Sequence, residues 1–135
     1  MDNSINVYAI DNAYALHATV NPSTVRSWKV DFDPLGKQIL CGTTSIALVN
    51  VDDGKIANEF AENCRFINCL RYAPNGKLIA CGNIDGGVLL YDGATFQRTC
   101  KLEDHGHPVR DLAFSADGSF MLSVSDDMLI NVTNM

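Results

Sequence analysis

Phe32-Asp33-Pro34-Leu35-Gly36-Lys37, Tyr72-Ala73-Pro74-Asn75-Gly76-Lys77 and Phe114-Ser115-Ala116-Asp117-Gly118-Ser119 are three versions of one phrase, an aromatic followed by a polar turn closed on glycine. They begin at positions 32, 72 and 114, a spacing of 40 and then 42 residues. A period near 40 filled with short apolar runs and frequent turn signals marks a β-propeller array. Turns recur too often to leave room for long helices, so the reading is all-β.

Working outward from the turn, each period resolves into four strands. In the second, Ile67 to Ala73 alternates apolar and polar residues, Leu78 to Gly82 follows the turn, and Asp85-Gly86-Gly87 makes a tight reversal into Val88 to Asp92. Gln97 to Leu102 is its fourth strand. The first period repeats this with Val25 to Phe32, Gln38 to Thr43, Ala47 to Asp52 and Ile56 to Phe60. The third offers Val109 to Phe114, Met121 to Ser125 and Leu129 to Thr133. Upstream, Ile5 to Ala9 and Ala15 to Val20 match a third and a fourth strand. The expected architecture is a partial, open propeller of antiparallel blades with limits 1–23, 24–63, 64–104 and 105–135, holding two, four, four and three strands.

The register carries a family likeness. The chain resembles the WD-repeat family, whose closing Trp-Asp dipeptide stands here as Tyr91-Asp92 and is weakened to Val51-Asp52, Thr133-Asn134 and Tyr8-Ala9. The family's opening Gly-His looks like Asp104-His105. Within the family the chain is most similar to the WD-repeat subunits of superkiller complexes, on the stretches 72–86 and 108–114 and on Trp28 placed within a first strand. The likeness covers about three repeats, fewer than half of a seven-bladed ring.

Composition narrows the function. The chain has 135 residues, 47% of them hydrophobic, with a net charge of −6. That hydrophobic content suits a packed domain and is too high for disorder. The negative balance repels phosphate backbones, so no direct nucleic-acid binding is expected. No apolar run approaches the 18 or so residues of a membrane helix, and the first fifteen residues do not read as a signal peptide. The five cysteines (Cys41, Cys64, Cys69, Cys81, Cys100) show no C-x-x-C pair. They read as buried, reduced core filler, with no metal or disulfide site and no cofactor.

His105, Ser123 and Asp127 are the residue types of a nucleophilic triad, and a hydrolase built on them is one reading. The resemblance implies a plainer role. In WD-repeat blades a His before the first strand, a Ser in the second and an Asp in the following turn form a structural hydrogen-bond network, here with Thr133 where an aromatic is usual. The earlier blades lack it, with Ser45 in place of the turn Asp and Cys41 and Cys81 in place of the Ser. His107 beside His105 and His17 in a fourth strand read as solvated, Asp52-Asp53-Gly54 as a turn, and the glycines of 82–87 as a strand connection instead of a phosphate cradle. Partner-binding candidates are Arg26, Trp28 and Arg110 at the starts of first strands and Arg65-Phe66 in a loop leading into one, since loops on a rigid scaffold dock partners and Arg and Trp favour hot spots.

The expected function is therefore a non-enzymatic protein scaffold. The resemblance implies helicase and helical-repeat subunits as partners, exosome-linked messenger RNA decay in the cytoplasm, and transcription elongation in the nucleus. A generic WD-repeat adaptor, such as a ubiquitin-ligase receptor, is the alternative. The incomplete blades suggest a fragment, or copies that associate by completing one another's sheets.

Overall fold

The computed structural model describes residues 4–11, 13, 15–20, 28–60 and 65–135, and every regular element among them is a β-strand. Strands β1 (Ile5–Ala9) and β2 (Ala15–Val20) form a two-stranded sheet. The first complete blade is β3 (Lys29–Phe32), β4 (Gln38–Gly42), β5 (Ile46–Asn50) and β6 (Ile56–Phe60). The second is β7 (Ile67–Tyr72), β8 (Leu78–Asn83), β9 (Val88–Asp92) and β10 (Arg98–Leu102). The last sheet is β11 (Val109–Phe114), β12 (Phe120–Ser125) and β13 (Ile130–Asn134). Within each sheet every strand pairs antiparallel with its neighbour in sequence, which gives an open propeller arc of about three repeats.

The repeated turn works as its residues imply. Gly36, Gly76 and Gly118 sit at φ of +68°, +73° and +72°, where a side chain is strained. A polar residue ahead of each caps the turn. Asp33 Oδ1 accepts from the Lys37 and Gln38 amides, both at 2.7 Å, while Asn75 and Asp117 accept from Lys77 and Ser119 at 3.0 Å.

Apolar seams join successive sheets. Val20 packs on Ile39, Cys41, Ala47 and Val49 of the first blade. That blade's Leu40, Ile46, Leu48 and Phe60 face Ile67, Leu70, Ile79 and Leu89 of the second. The second blade's Ala80, Val88 and Leu90 then meet Val109, Leu112 and Met121. Burial of each such aliphatic side chain is worth about 1.5–3 kcal/mol. Two polar links reinforce the seams along the innermost strands. Asp31 accepts the Tyr72 amide at 2.8 Å, and Arg71 donates to Asp111 at 2.8 Å.

Two expectations are corrected. The turn between β4 and β5 is two residues shorter than its counterparts, since Gly42 pairs with Ile46 whereas Gly82 pairs with Val88 and Val124 with Ile130. Ser45 therefore does not stand in for the turn Asp; its hydroxyl bonds Glu59 at 3.0 Å instead. Cys100 is exposed, because β10 is an outermost strand, whereas Cys41, Cys69 and Cys81 are buried as core filler. Burial pushes the Cys69 thiol up to about 11, which leaves it protonated and unreactive. Arg26, Cys64 and the expected start of the first blade at Val25 lie outside the described residues.

Candidate functional site

In an antiparallel blade the loop into the first strand and the turn between the second and third strands share one end. That end gathers most of the candidate residues. Trp28 is 58% exposed and meets Phe66 edge-on, ring centres 5.5 Å apart, across the seam between the first and second blades. Arg65 pairs with Asp85 of the adjoining turn at 3.1 Å. Arg110 donates through Nε to Asp126 at 2.8 Å and through Nη2 to the other carboxylate oxygen. This fork raises the guanidinium above its ordinary value and lowers Asp126 below its own. Trp28, Asn68 and Arg110 share one repeat position, counted from the aligned turns at 32, 72 and 114. They put an aromatic, an amide and a guanidinium at the same place in three successive blades, just before β3 and near the starts of β7 and β11.

The rim is stitched by backbone. Ile84 N donates to the Phe66 carbonyl at 3.1 Å, and Asp126 N to that of Pro108 at 3.2 Å, so each tight turn is tied to the loop that enters its own blade. Between blades, Ile67 N donates to the Thr43 carbonyl at 2.6 Å. The Asn68 bulge has one cost: its side-chain Nδ2 is buried with no hydrogen-bond partner among the described residues.

Beneath the rim lies the polar cluster. His105 Nδ1 stands 2.9 Å from Asp127 Oδ2 and Nε2 stands 2.8 Å from Ser123 Oγ. The distances are those of a catalytic triad, so geometry alone does not separate the two readings. Both groups are buried, the His105 side chain 1% exposed and Ser123 3% exposed. A fourth member also contacts the ring, and it is Asn131, not Thr133. Its Nδ2 lies 3.3 Å from His105 Nε2 and donates to the Asp104 carbonyl at 3.4 Å. Asn131 sits directly opposite Ser123 across the strand pair, whereas Thr133 faces Met121. Two donors aimed at Nε2 hold it as an acceptor and put the ring proton on Nδ1, facing Asp127. Burial raises the Asp127 carboxyl, but the Leu129 amide, His105 and the Gly106 amide outweigh it and hold it below its ordinary value.

A cleft of about 360 Å³ between β1–β2 and the first blade is lined by Val7, Tyr8, His17, Phe32 and Val51 and is largely apolar. It brings His17 near no carboxylate or thiol in its lining. Sequence reasoning missed Asn131, Asp126 and Asp85. Asp85 was findable from the tight turn, where it repeats as Asp127, while Asp126 has Ile84 as its counterpart and Asn131 follows only from strand pairing.

Comparison with known proteins places these features. Residues 54–92 and 96–134 match the profile of the family described as "WD domain, G-beta repeat". The chain is 34% identical over 70 residues to WD repeat-containing protein 1 of Gallus gallus, covering 50% of this chain and 12% of that protein. It is 28% identical over 134 residues to WD repeat-containing protein SL1-17 of Schistosoma mansoni, covering 98% and 44%. It is 27% identical over 143 residues to eukaryotic translation initiation factor 3 subunit I of Emericella nidulans, covering 93% and 42%. The chain thus spans less than half the length of these relatives. Each matched repeat runs from the outer strand of one blade through the inner three of the next, so the sequence unit itself ties neighbouring sheets together.

Proposed function

Because the chain belongs to the WD domain, G-beta repeat family, whose members generally act as protein-interaction scaffolds and are generally non-catalytic, we propose that it is a non-enzymatic platform holding other proteins together. One observation carries this reading. The only Trp stands more than half exposed on a rim built by rigid blades, while the polar cluster that could have done chemistry is buried beneath it. Trp28, Phe66, Arg65 and Arg110 are the docking residues, with Arg26 entering from its likeness in sequence. Docking is multivalent and forms or breaks no bond.

The specific assembly we propose is of the superkiller type, with a helicase and a helical-repeat subunit as partners. It would support exosome-linked messenger RNA decay in the cytoplasm and transcription elongation in the nucleus. The support is the likeness of residues 72–86 and 108–114, and the net charge of −6 that leaves RNA contact to the partners. A second reading, an adaptor of another assembly, is favoured by the similarity across 93% of the chain to a translation initiation factor subunit. Purification of the tagged protein from cells, with identification of what accompanies it, separates them. A helicase with a helical-repeat protein is the expected result. Initiation-factor subunits would move the protein to the second reading, and the absence of any stoichiometric partner would overturn the scaffold itself.

A further inference from the structure

The turn between β7 and β8 lies at the end of the second blade away from the rim, and it holds the one asparagine of the chain that glycine follows, Asn75-Gly76. Asn75 is exposed, and Gly76 closes the turn at a φ of +73°. Gly76 N donates to the Ala73 carbonyl at 2.9 Å, and the Lys77 amide donates to Asn75 Oδ1 at 3.0 Å. The turns of both neighbouring blades flank the pair. Pro34 Cγ lies 3.8 Å from where a Cβ on Gly76 would stand, and Asn75 Nδ2 lies 2.5 Å from the corresponding point on Gly118.

An asparagine side-chain amide is open to attack by the backbone nitrogen that follows it, and glycine hinders that attack least because it has no side chain. We propose that Asn75 is a site of spontaneous covalent modification, by deamidation. The Gly76 nitrogen bonds Asn75 Cγ, the Cγ–Nδ2 bond breaks, and the amide leaves as ammonia with the proton that the Gly76 nitrogen gave up. The cyclic imide so formed takes up water. Opening at one carbonyl leaves aspartate, and opening at the other leaves isoaspartate, whose backbone runs through the side-chain carbon. The turn acts on this reaction in two ways. The Lys77 amide sits on Oδ1, the oxygen that gains negative charge during the attack, and favours it. The bond from Gly76 N to Ala73 opposes it, since that nitrogen must leave the turn before it can attack. The second effect sets the pace, through local opening of the turn.

The two products meet the fold differently. Asp117 holds the place of Asn75 in the third blade's turn and accepts the Ser119 amide at 3.0 Å, as Asn75 accepts that of Lys77. An aspartate at position 75 therefore keeps the turn. Isoaspartate adds a carbon to the backbone and displaces Gly76 and Lys77, which clasp the next turn of the same blade. The Lys77 carbonyl accepts the Gly93 amide at 2.8 Å, and a Cβ on Gly93 would lie 2.2 Å from the Gly76 carbonyl oxygen. Tyr72 Oη closes the clasp by donating to the Gly93 carbonyl at 2.9 Å. Isoaspartate undoes this contact.

The test incubates the full chain at mildly alkaline pH, folded and in urea, and maps its peptides by fragmentation that separates isoaspartate from aspartate. In the folded chain Asn75 is expected to convert before any other asparagine, about ten- to a hundredfold more slowly than in urea. Isoaspartate is expected to collect in the fraction that a protease digests and aspartate in the resistant fraction, and Asn75→Asp is expected to melt within about 2 °C of the parent. Another asparagine converting first in the folded chain overturns the site. Conversion as fast in the folded chain as in urea overturns the role given to the bond between Gly76 and Ala73. A melting temperature that falls by many degrees in Asn75→Asp, or isoaspartate spread evenly over both fractions, overturns the assignment of the two products.

Discussion

The Ser123 hydroxyl and the His105 imidazole stand 2.8 Å apart in a space from which solvent is excluded, and the Asn131 amide reaches the same ring nitrogen. Removing the hydroxyl leaves the ring with one donor instead of two. Ser123→Ala is expected to cost about 1–2 kcal/mol of stability, read as a lower urea midpoint at constant slope. Asn131→Ala adds to it less than its own separate cost, because the two donors share one acceptor. Esterase activity that is present in the parent and vanishes in Ser123→Ala without loss of stability would contradict the structural role.

Gly86→Ala tests the seam between the second and third blades. The substitution meets both a φ of +90° and a Cβ position 2.2 Å from the His105 carbonyl. Strain at such a backbone costs about 1–3 kcal/mol before the clash is counted, so a loss above about 2 kcal/mol is expected. A neutral substitution would show that the seam is looser than the structure has it.

Much of this was legible from residue spacing, and the parts that were not have physical reasons. The turns at 32, 72 and 114 mark the blades because only a few residue types make them, and alternation places the strands between. The pairing of Ser123 with Asn131 was hidden because register across a hairpin depends on turn length, which composition does not disclose. The same blindness misplaced Ser45, where the turn is two residues shorter. The rim pairs Arg65–Asp85 and Arg110–Asp126 were half visible, since Asp85 repeats as Asp127 but Asp126 has no such counterpart, and the arginines lie in the loop before β7 and at the start of β11.

Asn68 makes the opposite kind of prediction. Its Nδ2 is buried without a partner among the described residues, a cost that a Leu of similar shape does not bear. Asn68→Leu is expected to stabilise the chain by up to about 1 kcal/mol, measured by urea denaturation. Destabilisation would mean that the amide is satisfied in solution.

Acid sensitivity follows from carboxylates held by turn donors. The Ser115 hydroxyl and the Ser119 amide and hydroxyl bring Asp117 down to about 2, and the Thr95 and Ala94 amides lower Asp92. The Lys55 amide lowers Asp53. Groups held below their unfolded value stabilise the fold fully above that value, about 4, and cease to do so as pH falls through the folded one. The urea midpoint is expected to stay level from pH 7 to 5 and to decline between about 4 and 2, less steeply in Asp117→Asn. A decline already complete at pH 5 would assign the acid response to other groups.

The claim that this chain acts as a scaffold through its rim meets its most direct measurement in Trp28→Ala, with partner affinity and melting temperature determined on the same preparation. Trp28 is 58% exposed and touches Phe66 through its edge, so its loss leaves the seams beneath in place. Affinity for the co-purifying partner is expected to fall by about 2 kcal/mol or more, while the melting temperature moves by no more than about 2 °C. A melting temperature that drops by many degrees while the folded fraction binds as tightly as before would make Trp28 a packing residue and remove the rim from the binding surface.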